Sequence, residues 1–309
     1  MWEIFLKTCP FFAVIGLGYW AGRTRFFTEE ATVYLTKFVF YFALSAMIFR
    51  FAATLELKDI LDWTFVKAYL AANITVYVLA TLVAMARSVP VAEAAVEAQC
   101  AVIGNVGFLG IPMLAILMGP EAVAPIIIII SIDLIVFSSL IVILITGSKG
   151  NGLSLNILRT VAMGLVKNPM IMSIVLGLVW SSYALPMPQP VEEFLTLLGA
   201  AATPGALFAI GASLASKSAE RMSVAVWLSG LKLFVHPAAV AVAALLIWPV
   251  EPFAAKVMIA SAALPVAGNV YILAQHYNVA PQRVSASILI STILSVVTLA
   301  AIIAWIETL

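Results

Sequence analysis

Long apolar runs separated by short polar connections make up almost the whole chain. A helix that crosses a bilayer needs roughly 20 apolar residues, and runs of that length occur about ten times. The pattern therefore predicts about ten membrane-spanning helices, called spans 1 to 10 in chain order. They lie near residues 2–22, 33–53, 63–86, 93–118, 122–147, 167–185, 194–216, 223–248, 252–277 and 283–307.

The longest polar interval lies near the middle of the chain. It begins at Gly147 and continues to Lys167, with the glycine and charge content of a loop. This interval predicts two halves, residues 1–150 and 151–309, each with about five spans. Spans 2 and 7 can be aligned with each other, and so can spans 4 and 9, which predicts that the halves are repeats.

Lysine and arginine are distributed unequally between the two sets of connections. The connections after odd-numbered spans contain Arg23, Arg25, Arg87, Lys149, Arg159, Lys167, Lys217, Arg221 and Arg283. The other side has only Lys7, Arg50, Lys58 and Lys256. Because cytoplasmic connections carry the excess of basic residues, both termini are expected on the outer, periplasmic side. An odd number of spans in each half then makes the two repeats inverted.

Composition supports an all-α polytopic membrane protein. Hydrophobic residues make up 64% of the chain, charged residues 10%, and the mean hydropathy is +1.13. Soluble domains contain about half apolar and a quarter charged residues. The net charge of +1 offers no basic surface for nucleic acid. The first residues lack a basic leader with a cleavage site, so the first apolar run is expected to remain as a span.

Two spans are interrupted by glycine, proline and asparagine, at Gly104–Pro112 and at Leu264–Tyr271. Broken helices at corresponding places of two repeats mark a transporter's substrate site. Asn105 and Asn269 each offer amide donors and an acceptor for a carboxylate or a cation. Phe108 and Tyr271 could line the part of the site that contacts the organic part of the substrate. The alternative is that both amides only cap the broken helix ends.

Ionisable residues inside spans are costly and point to function. Asp133 lies among apolar residues of span 5 and is a candidate proton or cation site, with Glu97 as a second, less buried candidate. Lys232 and His236 share one face of span 8. Lys232 could neutralise an anion, pair with Asp133, or extend to the cytoplasmic interface. Asp133 could equally be paired for structural reasons.

Enzyme signatures are absent from the sequence. It contains no nucleophile elbow, HExxH pair or glycine-rich phosphate loop. Two histidines far apart predict no histidine-based metal site. Cys9 and Cys100 both lie in apolar segments, so neither a structural disulfide nor a cysteine metal site is expected. We therefore expect a protein without catalytic activity, resident metal or cofactor.

Several segments in order resemble the auxin efflux carrier family, whose bacterial members include permeases for malate and other organic acids. The resemblance covers nearly the whole chain. The segments that carry it are Gly18–Arg23, Lys37–Tyr41, Asn105–Pro112 including Gly110, Asn168-Pro169, Thr203–Leu214, Lys232 with Pro237, Ala263–Pro265 and Ser291–Ser295.

The resemblance implies a ten-helix transporter with inverted repeats, related in fold to bile-acid:sodium symporters. It implies a scaffold of helices 1, 2, 6 and 7, a possible homodimer contact through them, and a moving core of helices 3–5 and 8–10. Asn105 and Pro112 match the first crossover helix, Pro265 matches the second, and Asn269 is the nearby amide. Ser45 stands where the family has a proline in helix 2, which puts the bend of that helix in question.

Together these features predict a secondary carrier of a small organic anion in a bacterial inner membrane, such as a malate-like mono- or dicarboxylate. Elevator-type alternating access would take place where helices 4 and 9 cross, with a proton, sodium or the membrane potential as the driving force. One alternative is a sodium-coupled importer of a larger amphipathic anion, with sodium held by Asn105, Gln99, Asn269 and Ser295. Another is a membrane receptor that binds without transporting.

Overall fold

The computed structural model describes residues 2–55, 62–148, 155–216 and 222–309. Helices lie at all ten predicted segments, and apart from one β-bridge the regular structure of these residues is helical. The helices are α1 Trp2–Arg23, α2 Glu29–Thr54, α3 Trp63–Ala86, α4a Val91–Val102, α4b Val106–Met118, α5 Pro120–Thr146, α6 Pro169–Ser182, α7 Gln189–Ala215, α8 Met222–Ile247, α9a Pro252–Ala262, α9b Gly268–His276 and α10 Pro281–Ile306.

Length and hydropathy confirm a polytopic helical membrane protein. In the ranges that the structure describes, six helices are long and apolar enough to cross a membrane: α2, α3, α5, α7, α8 and α10. A bent pair that includes α6 raises the number to seven. The count of ten spans, the inverted repeats and the side of the termini stay predictions.

The connection between the halves is more regular than predicted. Residues Leu155–Val166 form a helix, which bends by 67° into α6. The prediction of a loop up to Lys167 was therefore wrong, because apolar residues at positions 155, 158, 161, 162 and 165 have helical spacing. The predicted boundary at residue 150 lies outside the described residues, as do Lys58, Lys149, Lys217 and Arg221.

Close backbone contact joins α1 to the second half of α7. A Cβ atom at Gly18 would overlap the carbonyl of Phe208, and one at Gly211 would overlap the carbonyl of Ile15. Small residues at a helix interface allow backbones to approach in this way, and packing of that kind drives association inside a bilayer. α1 and α7 are therefore fixed tightly to each other.

The remaining packing falls into two clusters of buried apolar side chains. The larger contains residues of every helix from α1 to α10. The smaller joins α2 to α7 and contains Val39, Ala43, Leu44, Ala202 and Ala206, with Phe108 of α4b packed against it.

The two broken helices meet within the larger cluster, which contains Ile103, Val266 and Ala267. The N–H of Asn105 donates to the carbonyl of Pro265 at 2.8 Å, and the N–H of Ala267 donates to the carbonyl of Ile103 at 3.0 Å. The breaks therefore pair with each other through their backbones.

Candidate functional site

The crossing is a one-residue antiparallel bridge between Gly104 and Val266. Proline disfavours helical geometry in the residue before it, so α9a cannot continue through Leu264 into Pro265. The N–H of Val266 finds its partner outside the bridge, in the hydroxyl of Ser291 on α10 at 3.1 Å. Non-helical backbone at membrane depth must be satisfied inside the protein in this way.

A cavity of about 70 Å³ lies against the crossing. It is lined by Phe40, Ile103, Gly104, Asn105, Val106, Gly107, Phe108, Ile130, Asp133, Leu134, Asn168, Met170, Ala267, Gly268 and Asn269. The first residues of both α4b and α9b are in this lining. The positive ends of the two helix dipoles are therefore present at the cavity, where they favour an anion.

Neither predicted asparagine is occupied as a helix cap. Asn105 stands at the N-terminal cap of α4b and is 7% exposed, yet its side chain makes no capping hydrogen bond. α9b has no side-chain cap either. The Oδ1 atom of Asn269 is buried and has no partner. Since a buried polar atom without a partner is costly, Asn269 Oδ1 has unused capacity to accept a hydrogen bond from a ligand.

Phe108 lies against Phe40 of α2. The two rings are stacked with centroids 6.0 Å apart and planes 6° apart. Both rings line the cavity. Phe108 thus pairs with Phe40, whereas Tyr271, the other ring of the predicted wall, is outside the cavity lining.

Asp133 reaches the cavity from α5. Its Oδ1 accepts a hydrogen bond from the hydroxyl of Tyr69 on α3 at 3.0 Å. It begins a π-helical turn, Asp133–Phe137, and the hydroxyl of Ser138 donates to the Asp133 carbonyl at 3.1 Å. π-Helical turns are rare and are frequent at functional sites.

Lys232 is fully buried, so the predicted extension to the cytoplasmic interface is wrong. Its Nζ is hydrogen bonded to the carbonyl of Ala262 and lies 3.0 Å from Nδ1 of His236. Among the ion pairs of the described residues, none joins Lys232 to Asp133. A buried polar environment at the end of α9a holds the ammonium in place.

Glu97 is more buried than predicted, at 1% exposed against 4% for Asp133. Its carboxylate pairs with Arg87, and with Arg283 at 2.8 Å. Arg283 also pairs with Glu93 at 2.8 Å. Pairing with two arginines offsets the free-energy cost of burying the Glu97 carboxylate. This pairing was not apparent from the sequence.

Of the four predicted sodium ligands, two line the cavity and two do not. Asn105 and Asn269 line the cavity. Gln99 is buried with its Oε1 atom unpartnered, and it is outside the cavity lining. Ser295 donates to the carbonyl of Thr292 at 2.8 Å.

Four other predicted site residues also lie outside the cavity lining. Gly110 leaves room for Leu264, Pro112 is buried, and Pro265 contributes its carbonyl to the crossing. Tyr271 is half-buried and packs against the larger apolar cluster. The substrate-binding roles of these residues stay predictions.

Sequence reasoning missed several lining residues because their helices are distant in the chain. Phe40 lies in a π-helical turn of α2, Val39–Ala43. Asn168 caps α6 by accepting from the N–H of Met170 at 2.9 Å. A Cβ at Gly107 would meet the Met170 side chain at 2.6 Å, so Met170 packs over the start of α4b. The one local signal is a serine five residues after the cavity residue. Ser45 follows Phe40 and Ser138 follows Asp133, each at a π-helical turn.

Ser45, which stands where the family has a proline, supports the turn of α2 through a hydrogen bond. Its hydroxyl donates to the carbonyl of Phe40 at 3.1 Å, and the π-helical turn is present without a proline. The irregularity of α2 is therefore maintained by a hydrogen bond from a side chain.

Comparisons with known proteins bear on the class of the protein. A family model described as membrane transport protein matches residues 4–303. A protein of Rhizobium meliloti (strain 1021) named "Putative malonate transporter" is 28% identical over 305 residues, covering 96% of this chain and 94% of that protein. These matches confirm the resemblance to auxin efflux carriers and identify a transporter, not an enzyme.

Proposed function

The chain belongs to the membrane transport protein family, and from this premise we propose that it carries a small organic anion, a mono- or dicarboxylate such as malonate. The observation that carries the proposal is the cavity at the helix crossing. Two helix N-termini and the side chains of Asn105 and Asn269 lie at its wall. The name of the Rhizobium relative points to the same chemical class.

Binding would rest on neutral donors. Of the described residues that line the cavity, none is lysine or arginine. An anion would be held by backbone N–H groups at the starts of α4b and α9b and by the amides of Asn105 and Asn269. The apolar part of the molecule would lie on Phe40 and Phe108. Donors of this kind hold an anion without a guanidinium fork, which suits a substrate that must also leave.

Asp133 gives this carrier a means of coupling to protons. It is the one charged side chain among the described lining residues. When ionised it would repel an anion in the cavity, and when protonated it would not. We propose that a proton on Asp133 accompanies the bound anion, with the membrane potential acting on the net charge that moves.

Alternating access would move one group of helices past the other. The cavity wall combines Phe40 of α2 and Met170 of α6 with residues of α4, α5 and α9. We propose that helices 1, 2, 6 and 7 are the scaffold and that helices 3–5 and 8–10 form the moving core of an elevator. Ten spans in two inverted repeats, 1–150 and 151–309, complete this arrangement in a bacterial inner membrane, with periplasmic termini and a homodimer through the scaffold.

Thermal melting of the purified protein tests the substrate class. Seven tryptophans provide the fluorescence signal. A ligand at a hundredfold excess over its Kd stabilises the folded state by about 2.7 kcal/mol. Malonate and related dicarboxylates should raise the melting temperature, and neutral diamides of the same shape should not. Equal shifts with the diamides would refute anion recognition, and binding without flux in proteoliposomes would favour the receptor.

A sodium-coupled importer of a larger amphipathic anion is the second candidate. The buried, unpartnered oxygen of Asn269 at the cavity wall favours it, since hard cations such as sodium prefer oxygen ligands. If this candidate is right, an anion should raise the melting temperature only when sodium is present. An anion shift that is equal in sodium and in N-methylglucamine salts would exclude it.

A further inference from the structure

A chain of buried polar side chains connects the helix crossing to the cavity wall. Lys232, His236 and Asn73 have no exposed surface, and Tyr69 is 1% exposed. His236 Nε2 is hydrogen bonded to Asn73 Oδ1, and one turn along α3 the Tyr69 hydroxyl donates to Asp133. The proposed binding site uses only the last member of this chain, Asp133.

With Lys232 as an ammonium, its hydrogen bonds determine the tautomer of His236. The ammonium of Lys232 can only donate, so Nδ1 of His236 must accept. His236 Nε2 then carries the ring hydrogen and donates to the carbonyl oxygen of Asn73. This tautomer leaves His236 neutral, and the positive charge lies on Lys232.

The position of that charge is set by the ends of two helices. Lys232 Nζ is hydrogen bonded to the carbonyl of Ala262, the last residue of α9a. A Cβ at Gly104, just beyond the end of α4a, would lie 3.1 Å from Nζ and 3.2 Å from the carbonyl oxygen of Ser261. The ammonium is thus held where two helix C-termini converge. Their dipoles present partial negative charge, which attracts a cation.

The crossing therefore separates two kinds of helix end. The N-termini of α4b and α9b lie at the cavity, where they favour an anion. The C-termini of α4a and α9a meet the Lys232 ammonium, which compensates their partial negative charge. Without a cation there, the unpaired carbonyl ends would be buried beside the anion site and would oppose anion binding.

We propose that the Lys232 ammonium is a cation tethered at the helix crossing. It takes the place of a free metal ion there and allows the cavity to bind its anion without sodium. The proposal rests on the proposed function and specifies how that binding site is kept electrostatically favourable. A charge built into α8 costs no binding entropy and moves with the helices that it joins. Lys232 is a positioning residue, because the cavity lining does not include it.

Lys232→Met tests the charge, since methionine keeps an unbranched apolar stem of similar length. Malonate affinity is measured by melting and by isothermal titration in sodium and in N-methylglucamine salts. Wild-type affinity should be the same in both, and Lys232→Met should lose on the order of tenfold or more, as when a charged hydrogen-bond partner is removed. Lys67→Met is the matched control, because Lys67 is exposed on α3. It should bind as wild type does.

A smaller variant tests whether the site is built for a cation. Lys232→Ala leaves space at the two carbonyl ends, and added methylammonium or sodium should restore part of its malonate affinity. The same salts should not change wild-type affinity. A wild type that binds malonate only with sodium, or a Lys232→Met variant with wild-type affinity, would overturn the proposal.

Gly104→Ala moves the charge without removing it, which keeps the proposal testable if the Lys232 variants do not fold. The new Cβ would lie 3.1 Å from Nζ and displace the ammonium. Gly230→Ala on α8 meets nothing within 4 Å and serves as the control. Malonate affinity should fall in the first variant only.

Failure of the inference is distinct from failure of the proposed function. If Asn105→Ala loses malonate binding while Lys232→Met and Gly104→Ala keep it, the binding site stands and the tethered cation does not. If no carboxylate binds to the wild type, the proposed function itself fails.

Discussion

The two buried acids of the protein differ in their partners. Glu97 is enclosed by two arginines, and every charge in that cluster has an opposite charge within hydrogen-bonding distance. Asp133 forms no ion pair among the described residues; it accepts a hydrogen bond from the hydroxyl of Tyr69 and lines a cavity. Both were candidate coupling residues from the sequence. The difference assigns Glu97 to the stability of the fold and leaves Asp133, which has no ion pair, as the proposed coupling residue.

The largest expected effect on stability comes from the paired acid. Glu97→Gln leaves Arg283, which is 11% exposed, without its buried partner. Breaking a buried ion pair costs about 3 kcal/mol or more. The melting temperature should fall strongly, while malonate binding at low temperature remains. Glu93→Gln is the control, since Glu93 is half-buried and its loss should cost about 1 kcal/mol or less. A stable Glu97→Gln protein that has lost transport would reverse the comparison.

The next effect is on binding, at the asparagines beside Asp133. Asn105→Ala and Asn269→Ala should each weaken malonate binding by roughly tenfold to a hundredfold, because each removes donors to an anion in a buried site. Flux in proteoliposomes should be abolished, and size-exclusion profiles should match wild type. Gln189→Ala, on the exposed start of α7, should leave flux unchanged. Wild-type flux in both asparagine variants would show that the helix crossing is not the binding site.

Asp133→Asn should change pH dependence more than stability. Asparagine has the same shape and can still accept from Tyr69, yet it cannot ionise. Wild-type malonate affinity should fall as rising pH ionises Asp133, and the variant's affinity should stay flat over a range in which malonate itself is fully ionised. The free energy of unfolding, followed by thermal melting, should change by about 1 kcal/mol or less. Identical pH profiles in the two proteins would return Asp133 to a structural role.

The smallest effects are expected at the serines that support the π-helical turns. Ser138→Ala and Ser45→Ala each remove one hydrogen bond to a carbonyl, worth about 1 kcal/mol. Ser138→Ala should also alter the pH profile because it supports the turn at Asp133, and Ser45→Ala should not. Melting and pH-dependent binding of the two variants distinguish these outcomes.

Much of the fold could be predicted because bilayer thickness imposes a length on apolar runs. All ten segments are helical, and both breaks occur at the glycine and proline clusters. The helix Leu155–Val166 was missed because flanking glycines and charges made the interval look like a loop.

Most of the cavity residues that were named from the sequence belong to the breaks, and Asp133, an acid inside an apolar span, is the exception. Asn105, Phe108 and Asn269 were found because they are adjacent to glycine or proline in the sequence. Phe40 and Met170 were missed because only tertiary packing brings α2 and α6 to the cavity. Burial of Glu97 and Lys232 also depends on long-range partners, which local sequence does not reveal.

The most direct test of the central claim is malonate uptake into proteoliposomes that contain wild-type protein or Asn105→Ala, under an imposed membrane potential and without sodium. The account predicts uptake by the wild type that competing dicarboxylates inhibit, and none by the variant. Equal uptake by both proteins, or none by either under every potential and salt, would contradict a malonate-type carrier at the helix crossing.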